Sequence, residues 1–332
     1  MFQSISPKAL QLIRQGQQFD PSYQGGLSNH LPMALAALSF SGATDFQLEA
    51  FYRHYIPRLE PIRQASSTAK SGTAILGNKQ HFPYFLHAYR QQVEKEGIEQ
   101  TVKNAIPQLL PGLATAAFHA LIRLSYAVQV QDKAETAIAL AYWSSEFQPL
   151  GDLEITHKYQ GLEQAQMAFG HFKDYSFQPG NIVDRIDQLT RIPEYQAISA
   201  IPADLTFEAI AQTSIRLYLA SGNFTLLHGV TGLQALHALM PLIGQKGLAV
   251  NYFWQSYIAA LCVSRANSIS MKVVQTSPLA SNEQWKIWLG QTLSNKDDHV
   301  VKLAYSCAYL HQYFSLPEYP AAVNALLAHQ VV

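Results

Sequence analysis

The sequence has no excess of either charge and few charged residues of any kind. Its 332 residues include 23 Lys plus Arg and 23 Asp plus Glu, and charged residues make up 14% of the chain, against roughly 25% in typical globular proteins. A chain without net charge has no electrostatic reason to bind nucleic acid or an anionic membrane surface. We therefore expect no nucleic acid and no membrane as partner, and we expect much of the chain to be interior.

Cysteines and long apolar runs are scarce as well. The two cysteines, Cys262 and Cys307, form no CxxC pair, which argues against a disulfide framework or a structural zinc site. No segment reaches the run of about 18 apolar residues that is typical of a transmembrane helix. Residues 1–12 lack the sustained apolar stretch of a signal peptide. The expected location is the cytoplasm.

The usual cofactor and nucleophile motifs are also missing. The sequence contains no GxGxxG after a strand and no GxxxxGK[ST], so it carries no flavin or nicotinamide fingerprint and no P-loop. HExxH, EF-hand loops and GxSxG are absent, as are the carboxylate and ExxH pairs of a di-iron bundle. A redox enzyme with this sequence would use neither a standard nucleotide fold nor a di-iron site.

Helical periodicity is what the sequence does contain. Alternating strand patterns are nearly absent, and segment 271–274 is too short to build a sheet. We predict an all-α protein with one large multi-helix domain, 1–332, whose helices pack around a central pocket. The irregular stretch 149–202 is interpreted as a crossover within that domain. The predicted helices cover 30–40, 46–55, 82–95, 98–109, 113–130, 133–147, 161–169, 182–189, 206–221, 224–243, 248–265, 282–291, 297–313 and 320–329.

Four of the apolar helices carry a histidine near their start. Residues three, four and seven positions apart share a helix face, so each histidine begins a stripe of side chains along one face of its helix. Polar groups of such a stripe that are buried without hydrogen-bond partners would cost a few kcal/mol each. Stripes that face one another around a common cavity avoid that cost. The candidate catalytic residues are His30, His119, His228, Asp298 and His299, and the candidate substrate-binding residues are Arg123, Tyr126, Thr231, Lys302 and Tyr305.

A plainer interpretation of each histidine stands beside this one. A histidine on an apolar helix is commonly a hydrogen-bonded core residue or a helix-terminal residue. The recurrence of the pattern on four similar helices is what favours a shared site.

Several ordered segments resemble the questin oxidase-like family. Segment 26–33 (GLSNHLPM) resembles its GLSNHxPM run, and 111–112 (PG) followed by 116–123 (AAFHALIR) is similar to its PG…HGxIR helix. Segments 139–143 (ALAYW), 226–232 (LLHGVTG) and 298–303 (DHVVKL) resemble its LAYW, LHxVT and DHxxKL elements. The resemblance runs from about residue 23 to residue 310 and rests on the ordered set of segments.

The resemblance implies a Baeyer–Villiger-type monooxygenase that acts on an aromatic or polyketide-like ketone, with NADPH as the associated reductant. The family lacks a recognised flavin-binding fold, which agrees with the missing glycine fingerprint in this sequence. Fungal-type members have further histidines where this chain has Met33 and Arg123, so the specific reaction does not carry over with the fold.

Several chemical roles suit these residues. A protonated histidine or Arg123 would donate to a developing oxyanion, and a neutral histidine would take a proton from a phenolic substrate. Tyr126 and Tyr305 would orient the substrate, and Asp298 would orient a histidine. His119 and His228 would alternatively bind a metal; the sequence leaves the metal unknown, although the lack of a close HxxxH or ExxH pair favours metal-free action.

Other functions are compatible with the same pocket. A small-molecule binding protein for an apolar or aromatic ligand would need the cavity but no turnover. A hydrolase or isomerase with a His–Asp pair is a third hypothesis.

Overall fold

The prediction of an all-α protein is confirmed. The computed structural model describes residues 2–64, 74–158, 160–266 and 279–328, and 69% of the chain is helical. The helices are α1 (Pro7–Gly16), α2 (Leu31–Phe40), α3 (Asp45–Tyr55), α4 (Phe82–Leu109), α5 (His119–Gln129), α6 (Lys133–Glu146), α7 (Gly161–Phe172), α8 (Ile182–Leu189), α9 (Pro193–Ile198), α10 (Phe207–Ser221), α11 (Phe224–Leu239), α12 (Lys246–Cys262), α13 (Asn282–Thr292), α14 (Asp298–Phe314) and α15 (Glu318–Ala328).

Four helices form the centre of the molecule. Helix α2 packs against α5 and α14, and α11 packs against both of these helices. All ten residues of α2 are buried, as expected for a helix that is apolar on every side. The remaining helices surround this group, and the buried residues form one continuous hydrophobic cluster from α1 to α15.

Two glycines bring α11 close to its neighbours. A Cβ atom on Gly229 would lie 2.6 Å from the ring of Tyr257 on α12, and one on Gly232 would lie 3.0 Å from Phe118, just before α5. The missing side chain at Gly232 leaves room for Phe118, so the close approach fixes the start of α5.

The helix boundaries show where the sequence pattern was misleading. The helix predicted over 113–130 begins only at His119, because Ala116, Ala117 and Phe118 have positive φ angles of 52°, 55° and 68°. The predicted break between 95 and 98 is real, since Gly97 has φ 80° inside α4. Helices α1 and α9 were not predicted.

The irregular stretch 149–202 belongs to the same packed body, because α7 and α8 pack against α12. Strands are minimal: β1 (Ser22–Tyr23) pairs antiparallel with β2 (Leu27–Ser28), and β3 (Ile155–Thr156) pairs parallel with β4 (Ile201–Pro202). Segment 271–274 lies outside the described residues. Within the described ranges, no helix combines the length and apolar character needed to cross a bilayer.

Candidate active site

A cavity of about 820 Å³ opens at the end of the central helix group. This volume falls in the range of small-molecule sites, roughly 300–1,000 Å³. Its wall contains the start of each of the four central helices and the imidazoles of the four predicted histidines: His30, His119, His228 and His299. The structure therefore brings together groups that are up to 269 residues apart in sequence.

His30 immediately precedes the first residue of α2, and hydrogen bonds hold both its backbone and its ring in place. Its backbone N–H donates to the hydroxyl of Tyr55 at 3.0 Å. The neighbouring Asn29 side chain accepts from the Leu31 amide at 3.0 Å and donates to the Asp20 carbonyl at 3.0 Å. The His30 Nδ1–H donates in turn to the Asp298 carboxylate, which fixes the orientation of the ring.

The Asp298 carboxylate is shared between His30 and a buried lysine. Lys302 Nζ lies 3.2 Å from Asp298 Oδ2 and 3.0 Å from His30 Nδ1. Burial acts to raise the pKa of Asp298, but the adjacent His30 and Lys302 hold it well below its usual range. Burial lowers the pKa of Lys302 although Asp298 opposes this shift. Asp298 is therefore a carboxylate, and Lys302 is the cation that balances it when His30 is neutral.

His119 owes its position to the left-handed turn before α5. The three positive φ angles at residues 116–118 turn the Ala116 carbonyl towards the His119 ring, which donates to it through Nδ1–H. Such angles at non-glycine residues cost about 1–3 kcal/mol each and cluster at functional sites. Ala116 and Ala117 themselves line the cavity.

His228 and His299 are oriented in the same manner. His228 lies one turn into α11, and its Nδ1–H donates to the Phe224 carbonyl at 2.8 Å. His299 lies in the first turn of α14, with Nδ1 3.2 Å from Asp297 Oδ1. All four rings thus place Nδ1 against an oxygen acceptor, which leaves Nε2 as the lone-pair nitrogen of the neutral ring.

The four rings form one cluster. Ring centroids are 4.4 Å apart for His30 and His119, 4.6 Å for His119 and His228, 4.8 Å for His30 and His299, and 5.4 Å for His228 and His299. The Nε2 atoms of His119, His228 and His299 are buried and have no hydrogen-bond partner among the described residues. His30, His119 and His299 bring one ligand atom each within 4.8 Å of one another, which is a spacing that can hold a metal ion.

Burial makes the imidazoles of His30, His119 and His228 neutral near pH 7. It lowers the pKa of His30 to about 4, with Asp298 opposing and Lys302 adding to the shift. Burial, together with repulsion from the neighbouring rings and Lys302, lowers the pKa of His119 and His228 well below the usual histidine range. The idea that protonated His119 or His228 donates to an oxyanion is therefore disfavoured, whereas a role as hydrogen-bond acceptor or metal ligand fits.

Four of the residues predicted to bind substrate lie away from the cavity wall. The Arg123 guanidinium donates to Glu135 at 2.7 Å in a fully buried ion pair. The rings of Tyr126 and Tyr305 pack against each other at 5.7 Å, and Thr231 Oγ1 lies 3.4 Å from the His228 carbonyl, within α11. None of the four is among the cavity-lining residues. Lys302 does not line the cavity either; its ammonium group pairs with Asp298, which in turn contacts His30.

The sequence interpretation also missed residues that line the cavity. Tyr55 lies beside His30, and Phe224 stacks its ring edge on His228 at 4.7 Å. Phe224 is four residues before His228, so the helical spacing could have identified it. Tyr55 and Arg185 come from segments with no local signal, and only the tertiary fold brings them to the pocket.

The fold and the cluster define an all-α protein with a buried four-histidine centre at the base of a small-molecule pocket. The chain belongs to the questin oxidase-like family, whose sequence profile matches residues 27–307 of 332, a range that includes all four histidines. Membership points to an oxidase-type oxidoreductase. No curated protein matches the sequence.

Proposed function

We propose that this protein is an oxygen-dependent monooxygenase that acts on an aromatic or polyketide-like ketone, with the four-histidine cluster as its reaction centre. One observation carries the proposal: the buried Nε2 atoms of His119 and His228, two residues of the cavity wall, have no hydrogen-bond partner in the part of the chain that the structure describes. An unsatisfied buried acceptor costs about 1–3 kcal/mol. A purely structural histidine would not leave it unpaired, whereas a reaction centre uses it.

The donor set fits a first-row transition metal. Imidazole nitrogens suit zinc, copper, iron and nickel, and a ligating histidine commonly donates its other ring N–H to a carboxylate or carbonyl, which is the arrangement of all four rings here. His30, His119 and His299 would hold the ion, with His228 beside them. When bound, such a metal supplies Lewis-acid and dioxygen chemistry.

The residues of the chain itself provide substrate binding and orientation. Phe224 and Tyr55 offer aromatic surfaces to a flat ring system. A neutral His228 would accept a hydrogen bond from a phenolic hydroxyl at Nε2 and so orient the substrate ring. Asp298 keeps the His30 ring in one tautomer and orientation.

NADPH is the proposed reductant. Oxygen insertion balances as ketone plus O₂ plus NADPH plus H⁺ giving ester plus water plus NADP⁺, so two electrons must enter for each turnover. The described residues include no dinucleotide-binding sheet, but Arg58, Arg185 and Lys296 on the cavity wall could pair with phosphate groups.

The test is a turnover assay with purified protein. Metal content is measured first, and consumption of O₂ and NADPH is then followed with a hydroxyanthraquinone as probe. We expect His119→Ala and His228→Ala each to abolish turnover while the melting temperature stays within a few degrees. The exposed His171 on α7 supplies the control, and His171→Ala should retain activity.

The alternative outcome is equally clear. A protein that binds the aromatic probe unchanged and consumes neither O₂ nor NADPH would be a small-molecule carrier. Unfolding of both histidine variants would show that the rings are structural.

A further inference from the structure

Arg185 is a buried cation on the wall of the same cavity. It lies in the first turn of α8 and is only 8% exposed. Its Nε donates to the Val263 carbonyl at 3.2 Å and its Nη1 donates to the Gly180 carbonyl at 2.9 Å. A guanidinium has five N–H donors, so three of them have no partner among the described residues.

No carboxylate neutralises this guanidinium within the described part of the chain, because none lies within ion-pair distance. Burial and the nearby Arg265 lower the pKa of Arg185, and Asp184 opposes the shift only weakly. An arginine side chain nonetheless stays protonated in proteins. Burying a charge without a counterion costs several kcal/mol, so the site is suited to an anion supplied from outside.

The backbone reinforces the positive potential of the cavity. Five helices of the described ranges begin at its wall, namely α2, α5, α8, α11 and α14. Each helix start carries the equivalent of about half a positive charge and favours anions. At α8 the Asn181 side chain caps the Asp184 amide, whereas the amides of Ile182 and Val183 donate to no described residue, and all three of residues 181–183 line the cavity.

The acidic groups of the wall are already engaged. Asp297 accepts from His299, and Asp298 accepts from His30 and Lys302. Two further cations of the wall, Arg58 and Lys296, have no carboxylate within ion-pair distance among the described residues. The wall thus has three cations without a carboxylate partner among the described residues, Arg58, Arg185 and Lys296, against one largely exposed carboxylate, Asp297.

We propose that the ligand of this cavity is an aromatic acid whose carboxylate binds Arg185 and the first amides of α8, with its ring system against the histidine cluster. A guanidinium matches a carboxylate through two parallel N–H···O bonds, and the apolar part of the wall, with Phe224 and Tyr55, takes the rings. The proposal deepens the proposed function by naming the substrate class. It concerns binding and can hold without turnover.

The experiment compares an acid with its neutral ester. Binding of 1-hydroxy-2-naphthoate and of its methyl ester to the full-length protein is measured by isothermal titration calorimetry at pH 7.5. We expect the acid to bind at least tenfold more tightly, since hydrogen bonds to charged groups are worth about tenfold to a hundredfold in affinity. Arg185→Gln should remove this preference and leave the ester affinity unchanged.

The matched control lies just after the same helix. The Asp187 carboxylate on the exposed side of α8 pairs with Arg191, which lies just beyond the end of this helix and outside the cavity wall, and Arg191→Gln should keep the preference for the acid. Arg185→Lys keeps the charge but loses the two-pronged geometry, so it should retain only part of the preference.

Equal affinity of the wild-type protein for acid and ester would overturn the proposal, whether or not the variants fold. An equal loss of both ligands in Arg185→Gln would also overturn it, because the arginine would then only shape the wall. A preserved preference for the acid in a protein that consumes no O₂ would contradict the monooxygenase proposal and leave the anion site standing.

Discussion

The buried histidines should make folding stability depend steeply on pH between 7.5 and 5.5. His30, His119 and His228 have pKa values lowered by burial, that of His30 to about 4, against about 6.5 in an unfolded chain. Below pH 6.5 the unfolded state therefore binds three protons at these rings that the folded state does not, and the lowered pKa values of His54, His237 and His311 act in the same direction. Stability is complete above pH 6.5 and is lost as the pH falls towards the folded pKa values.

The magnitude follows from linkage. Between pH 7.5 and pH 5.5 each such histidine removes about 1–2 kcal/mol from the free energy of unfolding, so the three together remove about 4 kcal/mol. A typical protein has only about 5–15 kcal/mol in total. Asp298 does not contribute in this window, because its lowered pKa affects stability only below about pH 4.

Urea denaturation at pH 7.5, 6.5 and 5.5 in the presence of a chelator measures this dependence, since the chelator leaves the rings free of metal. His119→Gln should reduce the loss over the same interval by about 1–2 kcal/mol, whereas His171→Ala at the surface should leave it unchanged. A free energy of unfolding that stays flat over this interval, or falls by the equivalent of a single proton, would refute the assignment of three neutral buried imidazoles.

Two further predictions concern the packing behind the site. Glu135→Gln should destabilise the protein by about 3 kcal/mol or more, because it leaves the buried Arg123 charge unpaired. Urea denaturation compares this variant with the Arg123→Met/Glu135→Leu double variant, which has no buried charge at this place. The reasoning is wrong if the double variant is no more stable than the single one. Gly229→Ala should cost about 1–3 kcal/mol by overpacking against Tyr257, as a lowered melting temperature would show, with the exposed Gly170→Ala as control.

The helices could be predicted from sequence because their signals are local. The apolar composition of α2, the Asn181 cap of α8 and the break at Gly97 are all visible in short windows. The start of α5 could not be found in this manner. Ala116 and Ala117 favour a helix, and their left-handed conformation depends on Phe118 packing against Gly232, a contact between segments more than a hundred residues apart.

The candidate site was predictable in part for the same reason. A buried polar group must find a partner, and this argument correctly brought His30 and His119 together. It does not specify which partner. Arg123 shares a helix face with His119 by spacing, yet it turns to Glu135 on the next helix. Arg185 was missed because its helix is short and one of its two carbonyl partners, Val263, is 78 residues away in the sequence.

The turn at residues 116–118 also has a consequence for how the protein would fail. Its unfavourable backbone conformation is accompanied by a close fit of the Phe118 ring against Gly232, and the same ring packs on Phe253 at 5.4 Å. A looser contact between Phe118 and Gly232 would let the turn adopt an ordinary right-handed helical conformation. The His119 imidazole would then rotate away from the other three rings. A core substitution that disturbs this contact should therefore abolish the function of the protein while the chain remains folded.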